Sequence, residues 1–174
     1  MFGEIDPGTS FSIRKLATEF SVSMTPIREA IRRLAAEGVL QTSRSGRISV
    51  TLVNPDRLRE LTSIRLLLES ELAVRAIPRV HSKLTERLKR INLSVEEMIE
   101  KKNSMEFIKS NIQFHKILYL RAQAPTMLTL LETVWLQLGP TLKIASRKYF
   151  EVANVSYHHE ILEALSNFNS QNLV

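Results

Sequence analysis

The chain has 174 residues, 44% of them hydrophobic and 24% charged, a mix that excludes disorder, collagen-like fibres and low-complexity tracts. The absence of cysteine excludes a disulfide scaffold, a thiolate nucleophile and cysteine-bound zinc. A net charge of +6 favours a polyanionic partner, while the absence of any long apolar run or secretory signal predicts a cytoplasmic protein with no membrane partner.

Taken in chain order, Asp6-Pro7-Gly8 is a turn, with proline presetting φ and glycine free to take φ > 0. Phe11 to Phe20 reads as a short helix, capped by Ser10 or Ser12, with Ile13, Leu16, Ala17 and Phe20 on one face. A second helix is expected to begin near Thr25-Pro26, where proline loses no intrahelical bond, and to end at Gly38. The period then becomes extended: Val39 to Thr42 and Arg47 to Leu52 predict two strands joined by Ser43-Arg44-Ser45-Gly46. Helix, turn, helix and hairpin make a winged helix-turn-helix.

Val53-Asn54-Pro55 is the best boundary, dividing the chain into residues 1–53 and 54–174. Beyond it the pattern is helical throughout, giving a mainly α chain that closes in an all-α antiparallel helical bundle. Asp56 is expected to cap a helix running to about Ile77, with Leu58, Leu61, Ile64, Leu68 and Leu72 on its apolar face. Further helices are predicted at about 82–101, 104–122 and 126–148, the last interrupted or kinked around Gly139-Pro140, and from near Asn154 onward.

The charge has a useful distribution. Residues 10–50 hold seven bases against three acids, and six of the seven are Arg14, Arg28, Arg32, Arg33, Arg44 and Arg47. A guanidinium forks onto phosphates and guanine edges, so arginines concentrated on a helix-turn-helix and its wing point to double-stranded DNA. Ser23, Thr25 and Arg28 would stand at the end of the helix that enters the major groove, Arg14 near the DNA backbone, and Arg44, Gly46 and Arg47 at the wing.

The string from Ser12-Ile13-Arg14-Lys15-Leu16-Ala17 through Val22-Ser23-Met24-Thr25-Pro26-Ile27-Arg28-Glu29-Ala30-Ile31-Arg32-Arg33-Leu34-Ala35-Ala36-Glu37-Gly38 resembles the winged helix-turn-helix of GntR-family transcription regulators. The resemblance implies that Arg14, Ser23, Thr25, Arg28 and the wing around Gly46 contact operator DNA. It departs at Met24, where the family usually carries an arginine, which implies a changed operator preference or a lower affinity, by about 1–3 kcal/mol per lost bidentate contact. The second half, through Arg65-Leu66-Leu67-Leu68-Glu69, Asn111-Ile112-Gln113-Phe114-His115 and His158-His159-Glu160, resembles the FCD domain of the FadR-like branch. That resemblance implies a homodimer on a palindromic operator, a small acidic effector, and a divalent metal (zinc, nickel or manganese) at Asn111, His115 and His158.

Asn111 and His115 are spaced i, i+4 and share a helix face, and imidazole with an oxygen donor suits such metals. His159 is expected to point away, about 100° round the helix. Arg65 is the residue expected to hold an effector carboxylate, by a bidentate pair, whereas Arg147 reads as a surface partner, Glu69 and Glu71 as a charged helix face, and Trp135 and Phe114 as core. The resemblance also implies a helix before the Asp-Pro-Gly turn, a closing helix after Leu165 and a third histidine upon it, so both ends are expected to be truncated. With no phosphate loop, HExxH or GxSxG, an enzyme is not expected. A metal-dependent enzyme using the bundle site and a ligandless dimerisation module are the alternatives.

Overall fold

In a computed structural model, residues 5–43, 46–152 and 156–171 are described. The order is β1 (Ser10–Phe11), α1 (Ile13–Glu19), α2 (Met24–Ala36), β2 (Leu40–Thr42), β3 (Ile48–Val50), α3 (Pro55–Ala76), α4 (Ser82–Glu100), α5 (Ser104–Tyr119), α6 (Pro125–Val152) and α7 (Ser156–Gln171). Single 3₁₀ turns at Ile77–Arg79 and Leu120–Ala122 close α3 and α5. Asn154, where the last helix was expected to begin, lies outside the described residues.

The head is a helix-turn-helix with a three-stranded antiparallel sheet of order β1-β3-β2. The first strand is unanticipated. Ser10 and Phe11 pair with Ser49 and Ile48, so α1 starts only after Ser12, whose hydroxyl accepts the Lys15 N–H at 3.4 Å. Ile31, Leu40, Ile48 and Val50 form the head's buried core, with Ile13, Leu16, Ile27 and Leu34 packed against it. That is the helical stripe of the sequence meeting the inward face of the sheet.

Gly38 follows α2 at φ +73°, the left-handed position at a helix C-terminus that glycine occupies without strain. A Cβ there would also stand 2.6 Å from Arg57 Nη2, so two requirements coincide. The cap of α3 differs from expectation: Asn54 Oδ1 accepts the Arg57 N–H at 2.8 Å and Pro55 sits at the first position, where no donor is needed. Asp56 lies one residue further in, placed to meet the positive end of the helix dipole.

The five long helices build the bundle around Leu72, Leu88, Phe114, Leu131 and their neighbours. Burying a side chain of this size contributes about 1.5–3 kcal/mol. Two expectations for the helices are corrected. The core face of α3 carries Leu61, Leu72 and Ala76, whereas Leu58 and Ile64 are exposed; because α3 is apolar on several sides, its periodicity does not select one. And α6 runs unbroken through Pro140, where Leu136 and Pro140 face the apolar side of the head. A small cluster of Leu61, Val134 and Leu138, with Val53 against it, joins the linker to α3 and α6.

Candidate functional site: the exposed face of the head and a bundle cavity

The polar groups expected to meet DNA are exposed on the head. Ser23, Thr25 and Arg28 are exposed at and after the start of α2, and Arg14 is exposed on α1. Ser23 occupies the N-cap, yet its side chain makes no capping bond, unlike Ser12. Met24, the departure from the family pattern, is 44% exposed in the same turn. The wing is closed by Gly46 N–H to Ser43 O at 2.9 Å and Ser43 N–H to Arg47 O at 2.9 Å, with Gly46 at φ +77° and Arg47 exposed. Arg44 lies outside the described residues.

The bundle holds a cavity of about 620 Å³, partly open to solvent and lined among others by Arg65, Glu69, Asn111, His115, Trp135, Ser146 and His158. The structure thus brings all four bundle residues expected at a site (Arg65, Asn111, His115 and His158) to one space. His115 Nε2 and His158 Nε2 lie 3.3 Å apart. Asn111 lines the cavity one turn before His115. Among the described residues, no three His, Cys, Asp or Glu side chains cluster as a metal site. His159 turns outward and pairs with Glu96 Oε1 at 2.8 Å.

The proton positions follow from the partners. Asn92 is 2% exposed; its amide nitrogen donates to Glu96 Oε1 at 2.6 Å, so its oxygen faces His158 and accepts from Nδ1 at 2.8 Å. His158 therefore carries its proton on Nδ1 and presents the bare Nε2 to His115. Tyr119 Oη stands 3.3 Å from His115 Nδ1 and 3.4 Å from Glu69 Oε2, and its one proton serves either neighbour. If it goes to His115, the ring donates its Nε2 proton to His158. If it goes to Glu69, His115 holds its proton on Nδ1 and two bare Nε2 lone pairs converge.

Burial sets the charges. It lowers His115 to a pKa of about 3, helped by the neighbouring His158 and Arg65, and lowers His158 to about 4, helped by His159. Both rings are neutral at pH 7. Burial raises Glu69 despite the opposing hydrogen bond from Trp135, the Arg65 charge and the Tyr119 hydrogen bond, and raises Tyr119 beside the Glu69 carboxyl. Arg65 Nε lies 3.5 Å from Glu69 Oε1 and is buried without a hydrogen-bond partner. A buried donor left so costs about 1–3 kcal/mol, which an acceptor in the cavity would recover.

Sequence reasoning missed three members of this network. Glu69, read as part of a charged outer face, turns inward and accepts from Trp135 Nε1 at 3.0 Å. Tyr119 was not singled out. Asn92 shares the buried stripe of Leu84, Leu88 and Val95 on α4, and a polar residue in an apolar stripe is the signal that would have found it. Phe114 is core as expected, but it also stacks on His158 at 4.1 Å.

Arg57 adds a polar tie between head and bundle. Arg57 Nη2 donates to Gly38 O at 3.0 Å and to Gln137 Oε1 at 2.9 Å. It links the end of α2 to α6, two residues from the cavity wall at Trp135.

A winged helix-turn-helix head on an all-helical bundle with a mostly apolar cavity that carries a few polar groups defines a class of two-part helix-turn-helix proteins. Residues 1–50 match the bacterial regulatory proteins of the gntR family, and residues 60–173 match the FCD domain. The chain belongs to the GntR family of regulators with an FCD domain. It is 26% identical over 140 residues to the HTH-type transcriptional regulator McbR of Escherichia coli, covering 80% of this chain and 63% of that protein. It is 33% identical over 114 residues to the gluconate operon transcriptional repressor of Bacillus licheniformis, covering 66% of this chain and 46% of that one. The chain thus spans about half to two thirds of these relatives. Among solved structures, E. coli McbR/YncC superposes with a TM-score of 0.77 at 23% identity, covering 99% of this chain and 88% of that one. A putative GntR transcriptional regulator from Rhodococcus sp. RHA1 superposes with 0.76 at 16% identity, covering 98% and 82%. Both share the fold. The families and relatives matched are transcription regulators, not enzymes, and among the described residues no helix is long and apolar enough to cross a membrane.

Proposed function

We propose that this chain is a cytoplasmic, sequence-specific regulator that binds a palindromic operator as a homodimer and releases or tightens it when a small carboxylic acid enters the bundle cavity. The observation that carries the reading is the exposure of Ser23, Thr25 and Arg28 at the start of α2, together with that of Gly46 and Arg47 in the wing. Ser23 and Thr25 hydroxyls with the helix N-terminus suit phosphate oxygens, while Arg28 can fork onto a guanine; Arg14, Arg44 and Arg47 add backbone and minor-groove charge. The division at residues 1–53 and 54–174 separates reading from sensing.

Two copies would set two α2 helices in successive major grooves, about 34 Å apart. Leu66, Leu67 and Val74 are exposed on α3 at 56%, 73% and 63%, an apolar ridge suited to a second copy. Arg65, whose buried Nε is ion-paired with Glu69 but makes no hydrogen bond, is the group that receives the effector carboxylate. Arg57 offers the route outward: a ligand that shifts α6 moves Gln137, and with it the hold on Gly38.

His115 and His158 would hold a divalent ion, with Asn111 as an oxygen donor. Two nitrogens at about 2.0–2.1 Å from a tetrahedral zinc stand about 3.3–3.4 Å apart, which the 3.3 Å separation fits. The neutral rings and the Asn92-fixed proton on His158 suit a ligand pair; the described residues offer two histidines, not three. When bound, the ion would supply a positive charge for the effector's carboxylate, and Tyr119 would then donate to Glu69, not to His115. The test of the metal is elemental analysis and a zinc titration, before and after His115→Ala. Retention of full affinity by that variant would remove the ion from this reading.

A further inference from the structure

We propose that the cavity selects a monocarboxylic acid with an apolar tail over polyhydroxylated or multiply charged acids. The inference rests on the effector reading above and narrows it. The cavity's chemistry is divided along α5. Its polar groups, Arg65, Glu69, His115 and His158, gather where Trp135 and Tyr119 hold Glu69. Two helical turns back along α5 the lining is Phe107 and Ile108, about 12 Å from His115 by the helical rise. Because α4 and α5 form a hairpin joined by three residues, Ile99 at the end of α4 lies at that same far end of the cavity.

A carboxylate at Arg65 therefore sends the rest of the molecule toward Ile99, Phe107 and Ile108. Hydroxyls carried there would lose water among apolar side chains, with the Asn111 amide one turn away on α5, whereas methylenes gain by the same transfer. A second carboxylate carried to the far end fares no better: among the cavity-lining side chains the cation is Arg65, with Glu69 beside it, and an ion held by His115 and His158 would stand at that same polar end. The ligand that satisfies both ends has one charged head and an unbranched or aromatic tail.

Calorimetric titration of the full chain with butanoate, hexanoate and octanoate, below their micellar concentrations, measures this directly. Affinity should rise about fourfold per methylene until the tail fills the cavity. Gluconate and citrate should bind at least tenfold more weakly than octanoate, and 1-octanol more weakly than octanoate. Arg65→Met should erase the preference for octanoate over octanol, and Ile99→Asn should flatten the chain-length series. Equal or tighter binding of gluconate or citrate would overturn the selectivity while leaving an acid-sensing cavity in place. A flat series in the unaltered chain would overturn it too, independently of any variant. Binding of none of the acids would remove the effector reading itself.

Discussion

Asn92 is the most instructive residue to perturb. Asn92→Leu keeps the volume and removes both hydrogen bonds, that to Glu96 and that from His158. Glu96 is partly exposed and finds water; His158 is buried and packed against Phe114, so its Nδ1 proton loses its only acceptor in this network. Leaving that donor unpaired costs about 1–3 kcal/mol of folding stability. The alternative is for His158 to move its proton to Nε2, which relieves the cost but withdraws the lone pair from the space shared with His115. Loss of such a supporting partner typically weakens metal binding tenfold to a hundredfold. Urea denaturation with and without zinc, together with ¹⁵N chemical shifts of the imidazoles, separates the two routes. Either a loss of stability with the proton kept on Nδ1, or a proton shift with weakened zinc affinity, is expected. A variant with unchanged stability, zinc affinity and nitrogen shifts would refute the role given to Asn92.

Further outcomes follow from the same geometry. With chelator present, stability should fall on acidification below about pH 6.5: the unfolded chain protonates His115 and His158 while the folded one does not until about pH 3 and 4, at up to about 1.4 kcal/mol per pH unit for each ring. Glu69, raised in the fold, works in the opposite sense above pH 4.5, so its Gln variant should steepen the acid loss; a flat denaturation profile from pH 7 to 5 would contradict this. Arg57→Met removes two hydrogen bonds, about 1–3 kcal/mol in all, and should uncouple DNA release from acid binding in anisotropy titrations while leaving acid affinity intact; full coupling would rule out that route. Leu67→Glu, at an exposed position, should turn a dimer into a monomer by sedimentation with no loss of melting temperature of the fold, and an unchanged dimer would place the interface elsewhere.

Much of this was legible in the residues, and the exceptions have physical causes. The head carried its own punctuation: the helical stripe from Ile27 to Leu34, Gly38 at the end, and a glycine turn between strands. Local signals sufficed for these elements because each acts within a few residues, whereas the strand at Ser10 and Phe11 depends on pairing with Ser49 and Ile48. What periodicity could not decide was the inward face of α3, since Leu58, Leu66, Leu67 and Val74 surround the same helix as Leu61 and Leu72. The choice is made by what packs against it, chiefly α6. The site divided likewise. Asn111, His115 and His158 were named through the family resemblance and Arg65 through its guanidinium, but Glu69 resembled any surface carboxylate until Trp135, sixty-six positions away, proved to donate to it. Tyr119 and Asn92 are supporting partners whose roles depend on contacts between helices, which no single helix's pattern records.

The central claim is that the arginines of the head read DNA under the control of the bundle cavity. Its most direct measurement is fluorescence anisotropy of the full chain on duplex from its own promoter region, across a salt series and with increasing octanoate. The account predicts tight binding to one palindromic site, a steep loss of affinity with salt, an order-of-magnitude drop for Arg28→Ala, and an affinity that octanoate shifts. Weak binding that ignores sequence, salt and Arg28 would contradict it.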